Sequence, residues 1–335
     1  MKKFHTGYYL TFKGDYFTKD EYSDNLIKES QLKLITSNYK GKDWEVEWVY
    51  SSYWNGLEFV ICARTFDIAQ NVLFNVLCAE SVVDGTLLIN NEPHYPHEFG
   101  TISSVKGLDL LVKPVKGCSN NSVPLFFKLV SKSSNDKYLS NAIVKYQLST
   151  EIYSKNYMDL NEVVDWKTTN YNYLQIRFAY AIITAYSVIE ELDLSINVNV
   201  SSEKSSKLKN GSWNPEVLED IIKRLKSSNI NVEEDFVWMI RGDETEIERK
   251  KPINVTKRSE WADPPNIESP LFIKINDGYV YLPDAINYIS FLRSSISSHR
   301  VGDRINNLSI FDVANAQHLA RRLILEKTGL WNIIG

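Results

Sequence analysis

The sequence has few cysteines and no long hydrophobic run. Its three cysteines, Cys62, Cys78 and Cys118, lie far apart, without a CxxC pair or metal-ligand spacing. This pattern predicts free thiols in a reducing compartment. No apolar run approaches the roughly 18 to 20 residues that a membrane span needs, and Met1 is followed by lysines, not by a signal-peptide core. We therefore expect a cytoplasmic protein without a membrane span.

An excess of positive charge is also missing. Lysine and arginine number 38 against 42 aspartates and glutamates, which gives a net charge of −4 and a pI near 5.8. The chain as a whole therefore does not attract nucleic acid electrostatically. Any such binding has to use a local basic cluster, and the candidates are Arg293, His299, Arg300, Arg304, Arg321 and Arg322.

Several catalytic motifs are absent as well. The chain has no GxGxxG, no P-loop, no nucleophile elbow and no HExxH. Nucleotide-cofactor enzymes, serine hydrolases of the usual type and zincins thus have no positive evidence, and we expect no cofactor. His94 and His97 with Glu98 suggest a metal-dependent hydrolase as one hypothesis, but Pro93 and Pro96 exclude a regular helix there. A rigid loop is the favoured interpretation, with no metal site.

A chain of 335 residues predicts two domains. In the first part of the chain, β-rich and alternating runs predict strands at 8–12, 44–50 and 57–63. Apolar residues with helical spacing predict a helix at 67–82. Residues 101–135 are expected to form short strands and loops, ending in a polar linker at 131–136. Residues 1–135 are therefore predicted to be a strand-rich α+β domain.

After residue 136 the apolar residues recur with helical spacing. Helices are predicted at 137–154, 171–192, 215–225 and twice within 282–330. The serine- and lysine-rich segment 198–211 is predicted to be a mobile connection or lid, and 229–270 an irregular insertion. The fold class is thus α+β, with an all-α domain over residues 136–335.

Two groups suited to phosphodiester chemistry stand together near the chain's end. Arg293 and His299 flank five small residues at the junction of two predicted helices, and Gly302 lies in the polar link. Six positions on a continuous helix would leave the two side chains roughly 120° apart and about 9 Å apart in rise. They converge on one phosphate only if the first helix ends near Ser297 and Ser298.

Arg293, five intervening residues and His299, followed by a link and a final helix, resemble the motif of the HEPN superfamily, with Ser294 at the polar position after the arginine. The resemblance covers about residues 136–330. It implies a metal-independent endoribonuclease that acts as a homodimer and leaves a 2′,3′-cyclic phosphate and a 5′-hydroxyl. Arg293 would then hold the phosphate and His299 would transfer a proton.

The resemblance also implies a toxin or anti-phage defence protein with RNA as its substrate. Arg300, Arg304, Arg321 and Arg322 would then contact RNA. The N-terminal domain would act as a sensor that meets an antitoxin or a trigger.

Alternatives remain for each residue. Arg293 can pair with Asp284, Asp303 or Asp312, and His299 can serve only as a residue favoured at a helix C-terminus. A catalytically inert HEPN-like module for dimerisation or nucleic-acid binding is then the second hypothesis. The remaining candidates also have structural interpretations: Arg321 and Arg322 as a solvated helix face, His318 as a hydrogen-bonded core residue, and Glu190 and Glu191 as surface acids or orienting groups.

Overall fold

A computed structural model describes residues 1–11, 39–51, 56–84, 123–153, 171–199, 202, 204–241, 255–260, 275–297, 308 and 310–331. The chain divides into two compact units, Met1–Ser140 and Asn141–Gly335, where the sequence predicts a boundary after residue 135. The described residues contain both helices and antiparallel sheets, so the protein is α+β.

The first unit contains a three-stranded antiparallel sheet in the order β1-β3-β2. Its strands are β1 (Lys2–Thr11), β2 (Trp44–Ser51) and β3 (Gly56–Ala63). The alternation predicted for β2 is confirmed, because Trp44 and Val46 are buried while Glu45 and Glu47 on the other face are half-buried.

Two helices of the first unit are α1 (Phe66–Asp84) and α2 (Val123–Ser133). The first confirms the predicted helix. Its N-terminal cap differs from the prediction, because the Thr65 hydroxyl, not Asp67, accepts a hydrogen bond from the amide of Ile68 at 3.3 Å. The second helix lies where short strands and the start of a polar linker are predicted, so that prediction is wrong for residues 123–133. Phe127 of α2 packs edge-on against Trp48 and Phe59 of the sheet, at ring-centroid distances of 5.6 and 5.2 Å.

Within the described residues, α1 alone is long and apolar enough to span a membrane, over Phe66–Val83. Half of that stretch is buried inside the structure, and Val72, Val76 and Ala79 are among its core residues. The sequence analysis did not expect this candidate, because charged and polar residues interrupt its apolar run.

The remaining helices confirm the periodic pattern of the second half of the chain. They are α3 (Lys137–Ile152), which spans the division between the units, α4 (Tyr171–Glu191), α5 (Pro215–Ser227), α6 (Leu282–Ser297) and α7 (Ile310–Lys327). Helix α4 packs against both α6 and α7. Its buried residues include Ile182, Ala185 and Ile189, which explains why the sequence is nearly apolar there.

The prediction of an all-α second domain is wrong. The second unit contains an antiparallel sheet in the order β4-β6-β5, built from β4 (Phe236–Arg241), β5 (Val255–Glu260) and β6 (Ile275–Val280). Two of these strands, β4 and β5, lie wholly inside 229–270, so the prediction of an irregular insertion is wrong for them. Phe236 and Trp238 of β4 are buried, and the Trp238 ring meets that of Tyr288 on α6 edge-on at 5.1 Å.

The segment before α5 is held against α6, contrary to the prediction of a mobile connection or lid. Lys207 Nζ and Trp213 Nε1 each donate to Asp284 Oδ1 at 2.9 Å. One turn further along α6, Asn287 Oδ1 accepts from the Ser206 hydroxyl at 2.5 Å. These polar contacts connect the segment to the first turns of α6.

Candidate functional site

Helix α6 carries Arg293 at the border between its buried and solvent-facing sides. Pro283 and Asp284 stand in its first turn, where a missing amide hydrogen and a negative charge are favourable. Its first half is buried on all sides, and its buried apolar residues include Leu282, Ala285, Ile286, Ile289, Leu292 and Ile296. Arg293 follows the buried Leu292, and its side chain is 42% exposed.

Two residues of α4 orient the Arg293 guanidinium. Its Nη2 donates to Glu190 Oε1 at 3.2 Å, and its Cζ lies 5.4 Å from the centroid of the Tyr186 ring. Glu190 is 41% exposed, so water screens this ion pair. Arg293 Nε and Nη1 have no acceptor within the described part of the chain. Within the described residues, one of the three guanidinium nitrogens thus has a protein acceptor, and α4 supplies it.

The predicted partners of Arg293 are engaged elsewhere or lie outside the description. Asp284 binds Lys207 and Trp213, while Asp312 accepts from the Tyr288 hydroxyl at 2.9 Å. Asp303 lies outside the described residues. In the part of the chain that the structure describes, Glu190 is therefore the carboxylate beside Arg293.

Tyr186 supplies a ring face and no phenolate. The residue is 4% exposed, and this burial is the main cause that raises the pKa of its phenol. Glu190 raises the pKa further, while the hydrogen bond with Ser290 and the charge of Arg293 lower it. The phenol therefore stays neutral near pH 7, beneath the Arg293 cation.

The histidine of the predicted motif lies outside the described residues. His299, Arg300 and Arg304 all fall within 298–307, so the convergence of Arg293 and His299 stays a prediction. The chain on the far side of this segment is fixed by α4. The Gln175 side chain donates to the carbonyl of Leu308 at 2.9 Å and accepts from its amide at 3.3 Å. One helix thus contacts both flanks of the segment that carries the histidine.

Ser294, the polar residue after Arg293, is half-buried and makes contacts of its own.

Arg321 and Arg322 have different environments. Arg322 is 2% exposed, and its Nε donates to Glu326 Oε1 at 2.7 Å. Its terminal nitrogens donate to the carbonyls of Asn231, Glu234 and Asp235 at 3.0 to 3.3 Å. The prediction that Arg322 lies on a solvated face is thus wrong, because its buried guanidinium already donates to four protein acceptors.

Arg321 is half-buried, with its Cζ 6.0 Å from the Trp331 ring centroid. A contact between this side chain and RNA stays a prediction. His318, predicted to be a hydrogen-bonded core histidine, is half-buried between the rings of Phe236 and Trp331, at centroid distances of 5.0 and 6.0 Å.

The described residues contain no group of three His, Cys, Asp or Glu side chains arranged to hold a metal ion. The metal ligands suggested by the sequence, His94, His97 and Glu98, lie outside the described residues. The first unit does place Cys62 Sγ 3.6 Å from Glu47 Oε2. Burial and the neighbouring carboxylate raise the pKa of this thiol, which disfavours a nucleophilic thiolate.

Tyr186 and Gln175 are the site residues that the sequence analysis missed. Tyr186 stands four residues before Glu190, which is the spacing of neighbours on one helix face, but this signal occurs in many helices. Gln175 carries no comparable signal.

The chain matches no protein-family model, no curated protein and no solved structure. The family resemblance therefore rests on the residues themselves.

Proposed function

We propose that the second unit is a metal-independent endoribonuclease of the HEPN type. In this proposal α4, α6 and α7 belong to a HEPN-like helical bundle, and the β4-β6-β5 sheet is an insertion between α5 and α6. The packing of α4 against both α6 and α7, the last two helices described, supports this arrangement. RNA is the substrate and no cofactor is needed.

The observation that carries the proposal is the environment of Arg293. The guanidinium is half-exposed, lies over Tyr186 and pairs through one nitrogen with Glu190, while its other two nitrogens have no acceptor in the described residues. A planar guanidinium held in this way suits two-point binding of a phosphate. During cleavage it would stabilise the charge that develops on the phosphorane oxygens.

Proton transfer falls to His299 in this mechanism. An imidazole with an ordinary pKa near 6.5 can take the proton of the ribose 2′-hydroxyl or give one to the 5′-oxygen that leaves. Attack of the 2′-oxygen on phosphorus breaks the bond to the 5′-oxygen, which gives the 2′,3′-cyclic phosphate and the 5′-hydroxyl. Ser294 supplies the polar position next to Arg293.

A second copy of the chain completes the site in this proposal, because one motif has a single histidine for two proton transfers. Static light scattering tests the homodimer. A stable monomer at micromolar concentration would remove the two-motif cleft, although it would leave RNA binding open.

A catalytically inert HEPN-like module for dimerisation or nucleic-acid binding is the second candidate. The Glu190 contact favours it, because an ion pair neutralises the charge that a phosphate would need. The two candidates differ in cleavage but not in fold.

The decisive experiment is incubation of total RNA with the full-length protein in EDTA, with the product ends analysed. The ribonuclease predicts that wild type cuts and leaves cyclic phosphates, whereas His299→Ala and Arg293→Ala, each verified by circular dichroism, do not. Arg64→Ala is the matched control, since Arg64 forms an equally long 3.2 Å pair with Asp43 in the first unit. An inactive wild type, or an active His299→Ala, contradicts the proposal.

The biological setting proposed is a toxin or anti-phage system in the cytoplasm. The first unit would then act as the sensor for an antitoxin or a trigger. Co-purification from cells that express the tagged chain, followed by truncation of residues 1–135, tests this role.

A further inference from the structure

The carboxylate beside Arg293 occupies an unfavourable place in its own helix. Glu190 stands in the last turn of α4, which contains no basic residue, and the partial negative charge of a helix C-terminus disfavours a carboxylate there. Within the described residues it has one ion pair, with Arg293 at 3.2 Å, and the two side chains are 41% and 42% exposed. Pairs with such exposure add little to stability. Helix stability and ion-pair strength therefore give this residue little structural value.

The next residue, Glu191, is a structural carboxylate on the same turn. Its side chain is 16% exposed, its Oε1 accepts from Lys145 Nζ at 2.7 Å, and its Oε2 accepts from the Asn141 amide at 3.3 Å. Both donors belong to α3. Glu190 contacts α6 instead, through a longer and more exposed hydrogen bond. The two adjacent acids thus bind different helices, and the weaker contact is made to the proposed phosphate-binding arginine.

Two contacts fix different degrees of freedom of the Arg293 guanidinium. The Tyr186 ring lies beneath its Cζ at 5.4 Å, and the Tyr186 phenol is itself hydrogen-bonded with Ser290 on α6. A ring contact of this kind sets the height of the cation but leaves it free to turn over the ring face. The Glu190 carboxylate holds Nη2, at one edge of the group, and so restricts that rotation. Glu190 therefore determines which way the remaining nitrogens face.

The same carboxylate lowers the attraction of Arg293 for a phosphate. A negative charge beside the guanidinium repels a phosphodiester that approaches it, although water screens the effect at this exposure. Orientation and attraction therefore change in opposite directions when Glu190 is removed. Bound RNA gains from the larger net charge, whereas the transition state gains from a guanidinium that is already in place.

We propose that Glu190 is a positioning residue, which holds the Arg293 guanidinium in the orientation needed at the transition state while its charge weakens the binding of ground-state RNA. The inference rests on the proposed function, because it takes RNA cleavage as the reaction. It differs from an inhibitory role, in which the carboxylate would only compete with the phosphate. It differs from a role as general acid or base as well, since Glu190 acts through Arg293.

The test measures binding and cleavage separately for full-length wild type and Glu190→Ala. The substrate is a labelled RNA that spans a site at which wild type cuts total RNA, and its single-turnover cleavage is followed at saturating protein. The binding probe is the same sequence fully 2′-O-methylated, which lacks the attacking hydroxyl, and its fluorescence anisotropy is followed. We expect Glu190→Ala to bind the probe about two- to fivefold more tightly and to cut about tenfold more slowly.

Two further variants separate charge from orientation. Glu190→Gln keeps an acceptor for Nη2 without the charge, so we expect the tighter binding of Glu190→Ala with part of the cleavage rate restored. Glu191→Gln is the matched control, because this carboxylate pairs with Lys145 and not with Arg293. It should bind and cut as wild type does. Circular dichroism verifies the fold of each variant.

A double-mutant cycle shows whether Glu190 acts through Arg293. In the Arg293→Ala background, Glu190→Ala should change neither binding nor cleavage, because no guanidinium is left to orient. An equal loss of cleavage in both backgrounds would overturn the proposal, since Glu190 would then act on the RNA or on the fold directly.

The other outcomes separate this inference from the proposed function. A wild type that does not cut RNA removes both, because the inference needs that reaction. If wild type cuts and Glu190→Ala cuts equally fast or faster, the ribonuclease proposal stands and the positioning role is overturned. Slower cleavage without tighter binding overturns the positioning role as well, because the two effects are then not opposed.

Discussion

Arg322 on α7 and Arg293 on α6 are the same residue type in two regions of opposite character. Arg322 donates to the Glu326 carboxylate and to three carbonyls of residues 231–235, and it is almost wholly buried. Among the described residues, Arg293 has one carboxylate partner and one ring beneath it, and its side chain is partly exposed. The number of protein acceptors therefore distinguishes an arginine that holds the fold from one that is available to a ligand.

The largest effect is expected from Arg322→Ala. The substitution leaves the Glu326 carboxylate buried without its cation and removes the donors to three carbonyls. Breaking a buried ion pair in this way typically costs about 3–5 kcal/mol of unfolding free energy. Urea unfolding of the full chain, followed by circular dichroism, measures the loss.

Arg321→Ala is the matched control for this variant. Arg321 is the neighbouring residue, is half-buried and makes a ring contact at 6.0 Å, so we expect a loss below about 1 kcal/mol. Equal losses for the two variants would contradict the division between a buried structural arginine and a partly exposed one.

A smaller effect is expected at the first turn of α6. Asp284→Ala leaves the Lys207 ammonium and the Trp213 indole N–H without their shared acceptor, in a partly buried position. The expected loss is about 1–3 kcal/mol, with faster amide exchange in residues 204–214. Asp284→Asn keeps an acceptor for Trp213 and should lose less. Unchanged exchange in Asp284→Ala would show that these contacts do not hold the segment.

A pH-dependent effect is expected from Tyr146 on α3. Burial is the main cause that raises the pKa of Tyr146 to about 12, against the smaller lowering by the Arg321 charge. Since the folded pKa is above that of the unfolded chain, the stability it contributes is complete below pH 10 and is lost as pH rises toward 12.

Urea unfolding of wild type and Tyr146→Phe at pH 8 and pH 11 measures this contribution. Wild type should lose more stability than Tyr146→Phe between the two, on the order of 1 kcal/mol, because pH 11 lies above the unfolded pKa and below the folded one. Equal losses in the two proteins would mean that Tyr146 titrates as an exposed tyrosine does.

Much of the fold could be predicted from periodicity. The apolar stripes of α1, α4 and α5 have helical spacing over several turns, and β2 alternates strictly, so each signal repeats within its own segment. Helix α2 is not predicted from the sequence, because its apolar run is short and contains Phe126 and Phe127, a residue type that is common in strands. The second sheet was missed because pairing of β4 with β6 joins residues about forty apart, which no local pattern reveals.

The candidate site was predictable only in its chemistry. Arg293 can be chosen as a phosphate-binding residue because of its type and its distance from His299 in sequence. Its partners cannot, since Glu190 and Tyr186 meet it only through the packing of α4 on α6. Arg322 shows the converse, because the carbonyls that surround it come from a segment nearly ninety residues earlier.

The smallest change in stability is expected where the change in function is expected to be largest. Arg293→Ala removes an ion pair whose two side chains are each about 40% exposed, and such pairs contribute between 0 and about 1 kcal/mol. Arg64→Ala, at the equally long exposed pair with Asp43, should cost a similar amount. If Arg293 binds the phosphate, Arg293→Ala should lower RNA cleavage at least about a hundredfold, while Arg64→Ala leaves it unchanged. A large stability loss for Arg293→Ala would instead show that Arg293 is a structural residue like Arg322. A guanidinium whose hydrogen bonds stabilise the fold is not available to bind a ligand.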